Sequence, residues 1–363
     1  MRIGIFDPYL DDLGGGEKYM ATIAQVLSKD NQVDIFWDEK KDIEELTQRF
    51  PLDLSKVNLT KNIFSRNVSY IEKIKESLKY DVIIILSDGS LPMLLSKKTF
   101  IHFQQPFVNI SPNFKNSLKK TKITGFFCNS EFTKSHIDKE FGINSLVIYP
   151  PVDVKAKNVK KENIILNVGR FRVRDVTTSV NGAAQGIGDF KKQGLMLDVF
   201  KDMIKKGPAG WKLVFAVSVK KHEEGIFKKF KESAKGVPVE FVVNKNNDEL
   251  WDIYSKAKIY WHASGFGEDL NNHPEFAEHF GISTVEAMGA GCVPVVIKAG
   301  GQKEIVTSGK DGFLWETLDE FKSMTLNLMQ NNQLWEQISR NAKVSAKRFS
   351  RHEFERRVKG LIL

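Results

Sequence analysis

Two carboxylates eight residues apart, Glu278 and Glu286 in EHFGISTVE, are the side chains of this sequence best suited to hold a polar ligand. An ionised carboxylate accepts two hydrogen bonds side by side, which is what neighbouring ribose hydroxyls require. Gly281 marks a turn between them, so Glu278 is expected in a loop and Glu286 in the first turns of the helix that follows. Amides around Gly281, Ile282 and Ser283 would then stand at a helix start, where a phosphate is favoured. For the pair alone, a capping carboxylate and a solvated helix glutamate is the competing description. The sequences GAGCVPVV and AGGQKEIV that follow weaken it. They predict a helix end, a strand and a glycine turn, which return backbone to the same rim.

Three further groups have chemistry to offer. Arg170 closes the strand-like ILNVG, and Lys191, with Lys192 beside it, opens the next helix. Fixed cations there would stabilise a departing diphosphate as its charge develops. Arginine grips two oxygens at once and lysine supplies a point charge. A glycine run, DLGGGEKY, follows the first strand and opens a helix; Gly15 and Gly16 would let backbone approach a ligand. It is neither GxGxxG nor a P-loop, and a tight strand-to-helix turn without a ligand is equally consistent with it. His102, in FIHFQQPF, falls at the carboxyl end of a strand and could meet a sugar hydroxyl, or be a satisfied core histidine. Glu268, Asp269 and Glu275 read as loop carboxylates. His262, His273 and His279 fit no common local spacing for a metal.

The elements that must position these residues come from hydrophobic periodicity. Strands are expected at 2–6, 32–37, 82–86, 99–103, 125–129 and 145–149, with helices at 17–29 and 131–141. VIIIL at 82–86 is apolar on both faces, as in a parallel sheet. Pro150 and Pro151 impose extended backbone and mark a boundary. A second series follows: strands at 164–168, 211–217, 239–243, 259–262, 293–297 and 312–314, helices at 195–205, 248–257 and from 283, and helix from 318 almost to the end. This predicts an α/β protein of two doubly wound parallel-sheet domains, at 1–152 and 153–345, with 346–363 returning to the first. Ligands of such sheets sit beyond the carboxyl ends of the strands. The segment 172–189, rich in small residues and aperiodic, reads as a mobile loop beside that place.

At 363 residues the chain is long enough for two cores. It has no apolar run near the ~20 residues needed to span a bilayer, and MRIGIFDPY is a strand rather than a signal peptide. Two distant cysteines, Cys128 and Cys292, form no metal or redox motif, so a reducing, cytoplasmic setting is expected. The net charge of +9 suits a lysine-rich surface, a phosphate ligand or an anionic membrane. No zinc-finger, RNA-binding or basic heptad pattern points to nucleic acid. The basic stretch 115–122 (KNSLKKTK) is either an exposed loop or a contact for lipid phosphate.

Taken together, GGGEKY, NSEFT, YPPVD, NVGRF with KKQGLMLDVF, and the E-x7-E element EHFGISTVE resemble family 4 of the retaining glycosyltransferases over nearly the whole chain. The stretch also resembles that family's mannosyl- and glucosyltransferases of lipid-linked glycan or polysaccharide synthesis. The resemblance implies the GT-B fold, two Rossmann-like domains facing across a cleft. It implies that Arg170 and Lys191 grip the donor diphosphate, with Lys192 the substitute. Glu286 would hold the ribose, and Glu278 with backbone at Phe280, Gly281, Ile282 and Ser283 would orient the donor sugar. His102 would contact that sugar, and Gly15 and Gly16 would lie against the phosphates or the acceptor. It further implies retention of configuration without a metal or cofactor. GDP-mannose is the favoured donor and UDP-sugars stay open. A glycan or lipid-phosphate acceptor is implied, handled in the cytoplasm with peripheral contact to the cytoplasmic face of a membrane. A non-catalytic nucleotide-sugar- or glycan-binding protein, and an epimerase or phosphorylase of the same fold, are the alternatives. Two departures stand out: the long gap between Arg170 and Lys191, and the insertion at 265–275 before Glu278, a candidate lid or acceptor wall.

Overall fold

The computed structural model describes residues 1–12, 14–50, 52–110, 119–171, 190–205 and 207–363. The expected loop at 172–189 and the first half of the basic stretch 115–122 lie outside them. The chain forms two compact units, Met1–Pro151 with Arg351–Leu363, and Val152–Ser350.

In the first unit the strands are β1 (Arg2–Phe6), β2 (Gln32–Phe36), β3 (Val57–Thr60), β4 (Val82–Leu86), β5 (Lys98–Phe103), β6 (Gly125–Cys128) and β7 (Leu146–Val147). Its helices among the described residues include α1 (Gly15–Leu27), α2 (Lys40–Arg49), α3 (Tyr70–Ser77) and α4 (Glu131–Phe141). The strands pair in parallel in the order β3-β2-β1-β4-β5-β6-β7. The alternation inside VIIIL places Val82, Ile84 and Leu86 in one core and Ile83 and Ile85 in the other. A strand buried on both faces can be apolar at every position.

The second unit holds β8 (Glu162–Arg170), α5 (Gln193–Ile204), β9 (Lys212–Ser218), α6 (Glu224–Ser233), β10 (Val239–Val243), α7 (Asn247–Lys256), β11 (Ala257–His262), α8 (Ile282–Gly289), β12 (Val293–Ile297), α9 (Gln302–Ile305), β13 (Phe313–Trp315), α10 (Leu318–Gln330) and α11 (Asn332–Ala346). Its sheet is again parallel, ordered β10-β9-β8-β11-β12-β13. In each sheet the order reverses beside the first strand, between β1 and β4 and between β8 and β11. The crevice opened at the carboxyl ends there is where such folds place ligands.

The helical tail is not one run. Thr317 caps α10 and Asn331 caps α11, each side chain accepting an amide of the first turn. The return to the first unit begins at Arg351, later than expected. Residues 346–350 stay with the second unit because Phe349 packs edge-on against Phe280, 5.3 Å between ring centres, and Arg348 bonds the carbonyl of Glu304 at 2.9 Å. The last helix, α12 (Arg351–Ile362), lies on α1: Phe354 meets Tyr19 at 5.1 Å, and Lys29 pairs with Glu355 at 3.0 Å. Among the described residues no helix is long and apolar enough to cross a membrane.

Candidate functional site

The strongest concentration of chemistry lies in the second unit, at the reversal between β8 and β11. Arg170 is the last residue of β8 and His262 the last of β11. Lys191 comes from beyond the undescribed segment, just before α5. Its stem packs over Gly169, where an added Cβ would lie 3.7 Å from the lysine Cγ. Lys191 is thereby brought to the rim that Arg170 ends on, despite the long gap between them in sequence.

Glu278 is the hub of this rim. Its Oε2 accepts from Lys191 Nζ at 2.6 Å and from His262 Nε2 at 2.9 Å. Burial opposes the charge of this carboxyl, but Lys191 and His262 outweigh it and hold the group well below the usual carboxylate range. Burial acts on His262 the other way, lowering its pKa despite the carboxylate it faces, so the ring is neutral. A neutral ring meeting a carboxylate through Nε2 carries its proton there.

Backbone closes on the hub from behind. The glycine turn after β12 docks on the Glu278 loop: Gly301 N–H donates to the Glu278 carbonyl at 2.8 Å. Gly281, the residue before α8, has φ +120°, and a Cβ there would come within 2.5 Å of Gln302 Nε2. Only glycine fits that conformation and that space. Thr284 and Val285 amides turn back to the Gly281 carbonyl, and the first-turn amides of Ile282 and Ser283 face out of the helix end. Phe280 is buried and anchors this loop.

Glu286 projects from α8, half-buried, its Oε2 accepting from the Tyr254 hydroxyl at 3.0 Å. Tyr254 is itself buried, 1% exposed, and burial together with Glu286 keeps its hydroxyl protonated. A second buried tyrosine, Tyr260 on β11, pairs with Ser283 Oγ at 2.7 Å. One end of α8 and the Glu286 carboxylate are thus each held by a phenol rooted in the sheet or in α7.

Lys192 has a different partner. It starts α5 in the left-handed region, φ 57°, and its Nζ meets Glu268 Oε1 at 2.6 Å. Glu268, in the loop, ties the 265–275 insertion to the helix start, and Lys192 is turned toward that insertion. Asp269 accepts from Asn272, and Glu275 from His273. His279 Nε2 lies 3.3 Å from the Glu275 carbonyl. His262 thus pairs with Glu278 while His273 and His279 both meet Glu275, and among the described residues no group of three or more His, Cys, Asp or Glu could hold a metal ion.

The first unit differs in sign. The Gly14 amide donates to the Glu17 carboxylate, so α1 is capped by its own glutamate. Asp7, directly after β1, is 2% exposed, and its Oδ2 has no hydrogen-bond partner. Burial, then Glu17, then Asp11 push its carboxyl up to about 7, against the pull of the Tyr9 amide. Gly15 is exposed; Gly16 is packed against Gln104, whose Nε2 donates to its carbonyl at 3.1 Å. Carboxylates at this helix start oppose the phosphate contact expected of Gly15 and Gly16. His102 is wholly buried, stacked between Tyr19 at 4.3 Å and Phe127 at 4.4 Å, its Nδ1 3.1 Å from the Phe127 carbonyl. Burial drives its pKa to about 3. Both ring faces are covered within the core of the first unit, while Nε2 has no hydrogen-bond partner.

Of the expected residues, then, Lys191, Glu278, Phe280, Gly281, Ile282, Ser283 and Glu286 gather on one rim with Arg170 at the end of β8. His262, Tyr254 and Tyr260 were missed. The first was weighed only as a metal ligand; Tyr260 stands in an apolar strand run, and Tyr254 in a stretch read only as helix. The signal available was position, since His262 closes a strand at the sheet's reversal.

Residues 187–345 match the family model described as glycosyl transferases group 1. The chain is 27% identical over 250 residues to a GDP-Man:Man(3)GlcNAc(2)-PP-Dol alpha-1,2-mannosyltransferase of Dictyostelium discoideum, covering 62% of this chain and 44% of that protein. The Xenopus laevis protein of the same name is 29% identical over 252 residues, covering 62% and 46%. The chain thus spans about half the length of the curated relatives it matches. Among solved structures, Anabaena Alr3699/HepE in complex with UDP superposes with a TM-score of 0.73 at 16% identity, over 99% of both chains. A glycosyltransferase from Rickettsia africae superposes with a TM-score of 0.71 at 13% identity, over 99% and 98%. The fold is GT-B, and of the motifs that resembled the glycosyltransferases, KKQGLMLDVF and EHFGISTVE lie within the matched residues.

Proposed function

We propose that this chain, a GT-B protein whose second unit carries the group 1 glycosyltransferase sequence, transfers a hexose from a nucleotide sugar to a glycan or lipid-linked acceptor. The observation that carries the reading is the Lys191–Glu278–His262 cluster at the carboxyl ends of β8 and β11, with Glu286 on the adjoining helix. Arg170, Lys191 and the first-turn amides of α8 take the diphosphate. Glu286 takes the ribose hydroxyls. Glu278 takes hydroxyls of the sugar through the oxygen its two partners leave open.

The bond from the anomeric carbon to the phosphate oxygen breaks, and its electron pair goes to the diphosphate. Charge grows on the leaving group as it departs, so cations already held in place lower the barrier more than they tighten the ground state. The acceptor hydroxyl attacks the same face and gives its proton to the departing phosphate oxygen, which retains configuration. Protein cations supply the positive charge, so transfer needs no added metal, and activity should persist in a chelator.

Mannose from GDP-mannose is the leading donor, supported by the names of the mannosyltransferase relatives. The UDP-bound fold neighbour makes UDP-sugars the competing donors. We place the reaction in the cytoplasm, where a net charge of +9 would favour an anionic membrane face; flotation with and without anionic lipid checks this. A thermal-shift screen of nucleotide sugars tests the central reading: a donor at ~100 times its dissociation constant adds about 2.7 kcal/mol of stability. Arg170→Ala and Glu286→Ala should each abolish that shift. Normal turnover by both variants would refute the site.

A further inference from the structure

Lys191 has two claims on it. It is paired with Glu278 at 2.6 Å, and under the function proposed above it must also serve the diphosphate. A lysine is a single point charge on a flexible stem. As it turns to the diphosphate its hold on Glu278 weakens, just when Glu278 must present an oxygen to the sugar. Something else has to keep that carboxylate in place.

The structure assigns this task to His262: it is a positioning residue that keeps Glu278 aimed at the donor sugar after Lys191 has turned to the diphosphate. The geometry supports it on three counts. The His262–Glu278 bond is 2.9 Å and uses the same oxygen, Oε2, as the lysine, so it persists unchanged when the lysine leaves. The imidazole is 2% exposed and is the last residue of β11, so it is anchored by the sheet and does not move with the ligand. Both bonds meet at Oε2, which leaves Oε1 to a hydroxyl. Neither the diphosphate nor the ribose is among the partners this assigns to His262, so its effect should fall on the sugar alone.

This inference rests on the glycosyltransferase reading, and two readouts separate their failures. The first needs no ligand. In the full chain labelled with [15N]histidine, His262 should give the neutral Nε2–H tautomer, identified by its disappearance in His262→Phe. An Nδ1–H tautomer or an imidazolium would overturn the proposal whatever the chain's activity. The second readout compares nucleoside diphosphate with nucleotide sugar by calorimetry. His262→Phe fills the ring's space without a donor; it should weaken nucleotide-sugar binding about 10- to 100-fold, the scale of a lost hydrogen bond to a charged group. Nucleoside diphosphate binding should stay within about twofold. His262→Gln, whose amide nitrogen reaches the place of Nε2, should restore most of the loss. In a Glu278→Ala background, His262→Phe should have no further effect. Equal weakening of both ligands, or full additivity with Glu278→Ala, would overturn the positioning role. Absence of any nucleotide-sugar binding by the unaltered chain would instead refute the proposed function.

Discussion

Replacing Asp7 with asparagine should stabilise the protein, and the gain should grow with pH. Asp7 is 2% exposed, one of its oxygens has no partner, and its carboxyl is pushed from the ordinary aspartate value of 3.8 to about 7 by burial and by Glu17. An acid whose pKa is higher folded than unfolded binds more protons in the folded state. Stability therefore falls as pH climbs from the unfolded value to the folded one, and the loss is complete above it. At 1.36 kcal/mol per unit, the cost approaches about 4 kcal/mol at pH 8 and is roughly 2 kcal/mol at pH 5. Asparagine has the same shape and never ionises. Asp7→Asn should thus gain up to about 4 kcal/mol at pH 8, with a difference of about 2 kcal/mol between the two pH values. Urea unfolding followed by far-ultraviolet circular dichroism at pH 5 and pH 8 measures it. A variant no more stable at pH 8, or one whose gain is independent of pH, would refute the reasoning.

Other perturbations act on the second unit. Tyr254→Phe removes only the hydroxyl that holds Glu286; nucleoside diphosphate affinity should fall about 10-fold by calorimetry, with the fold retained. Lys191→Met should lower kcat/KM about 100- to 1000-fold, the scale of a lost transition-state partner. Lys192→Met should cost less than about 10-fold, because its charge is committed to Glu268 at 2.6 Å; steady-state kinetics with the cognate donor distinguishes the two. Gly281→Ala imposes φ +120° on a side chain and a 2.5 Å approach to Gln302. It should lose about 1–3 kcal/mol in urea unfolding and most of its donor binding.

Much of the parallel-sheet framework could be read from the sequence because its strands are apolar on both faces. Ile3, Ile84, Ile165 and Val295 are all fully buried in runs of their kind. The elements that escaped are those without such runs. Val57–Thr60 is an edge strand with two exposed residues, and the helices Lys40–Arg49 and Tyr70–Ser77 bury one residue each. The periodic signal is weak when burial is slight. In the site, Glu278, Glu286 and Lys191 were legible because each stands at or close to the start of a helix, near a glycine turn or strand end. Tyr254 and His262 were not, since their role comes from a single hydrogen bond across the fold. His102 was legible only as a choice between a sugar contact and a core histidine. A strand end at the ligand side of a sheet invited a binding role, yet Tyr19 and Phe127 close over both faces of the ring.

The helix Arg351–Ile362 completes the first unit only after the whole second unit has been threaded in. During synthesis the ribosome must therefore deliver residues 152–350 before the cover for Tyr19 and the α1 face exists. For that interval the nascent first unit shows an apolar stripe of its own core to the surroundings. Shortening the chain at its end would freeze it in that state, so a truncated product should be a client of chaperones and proteases while its second unit is intact. Loss of a single C-terminal helix would then be felt at the opposite end of the sequence.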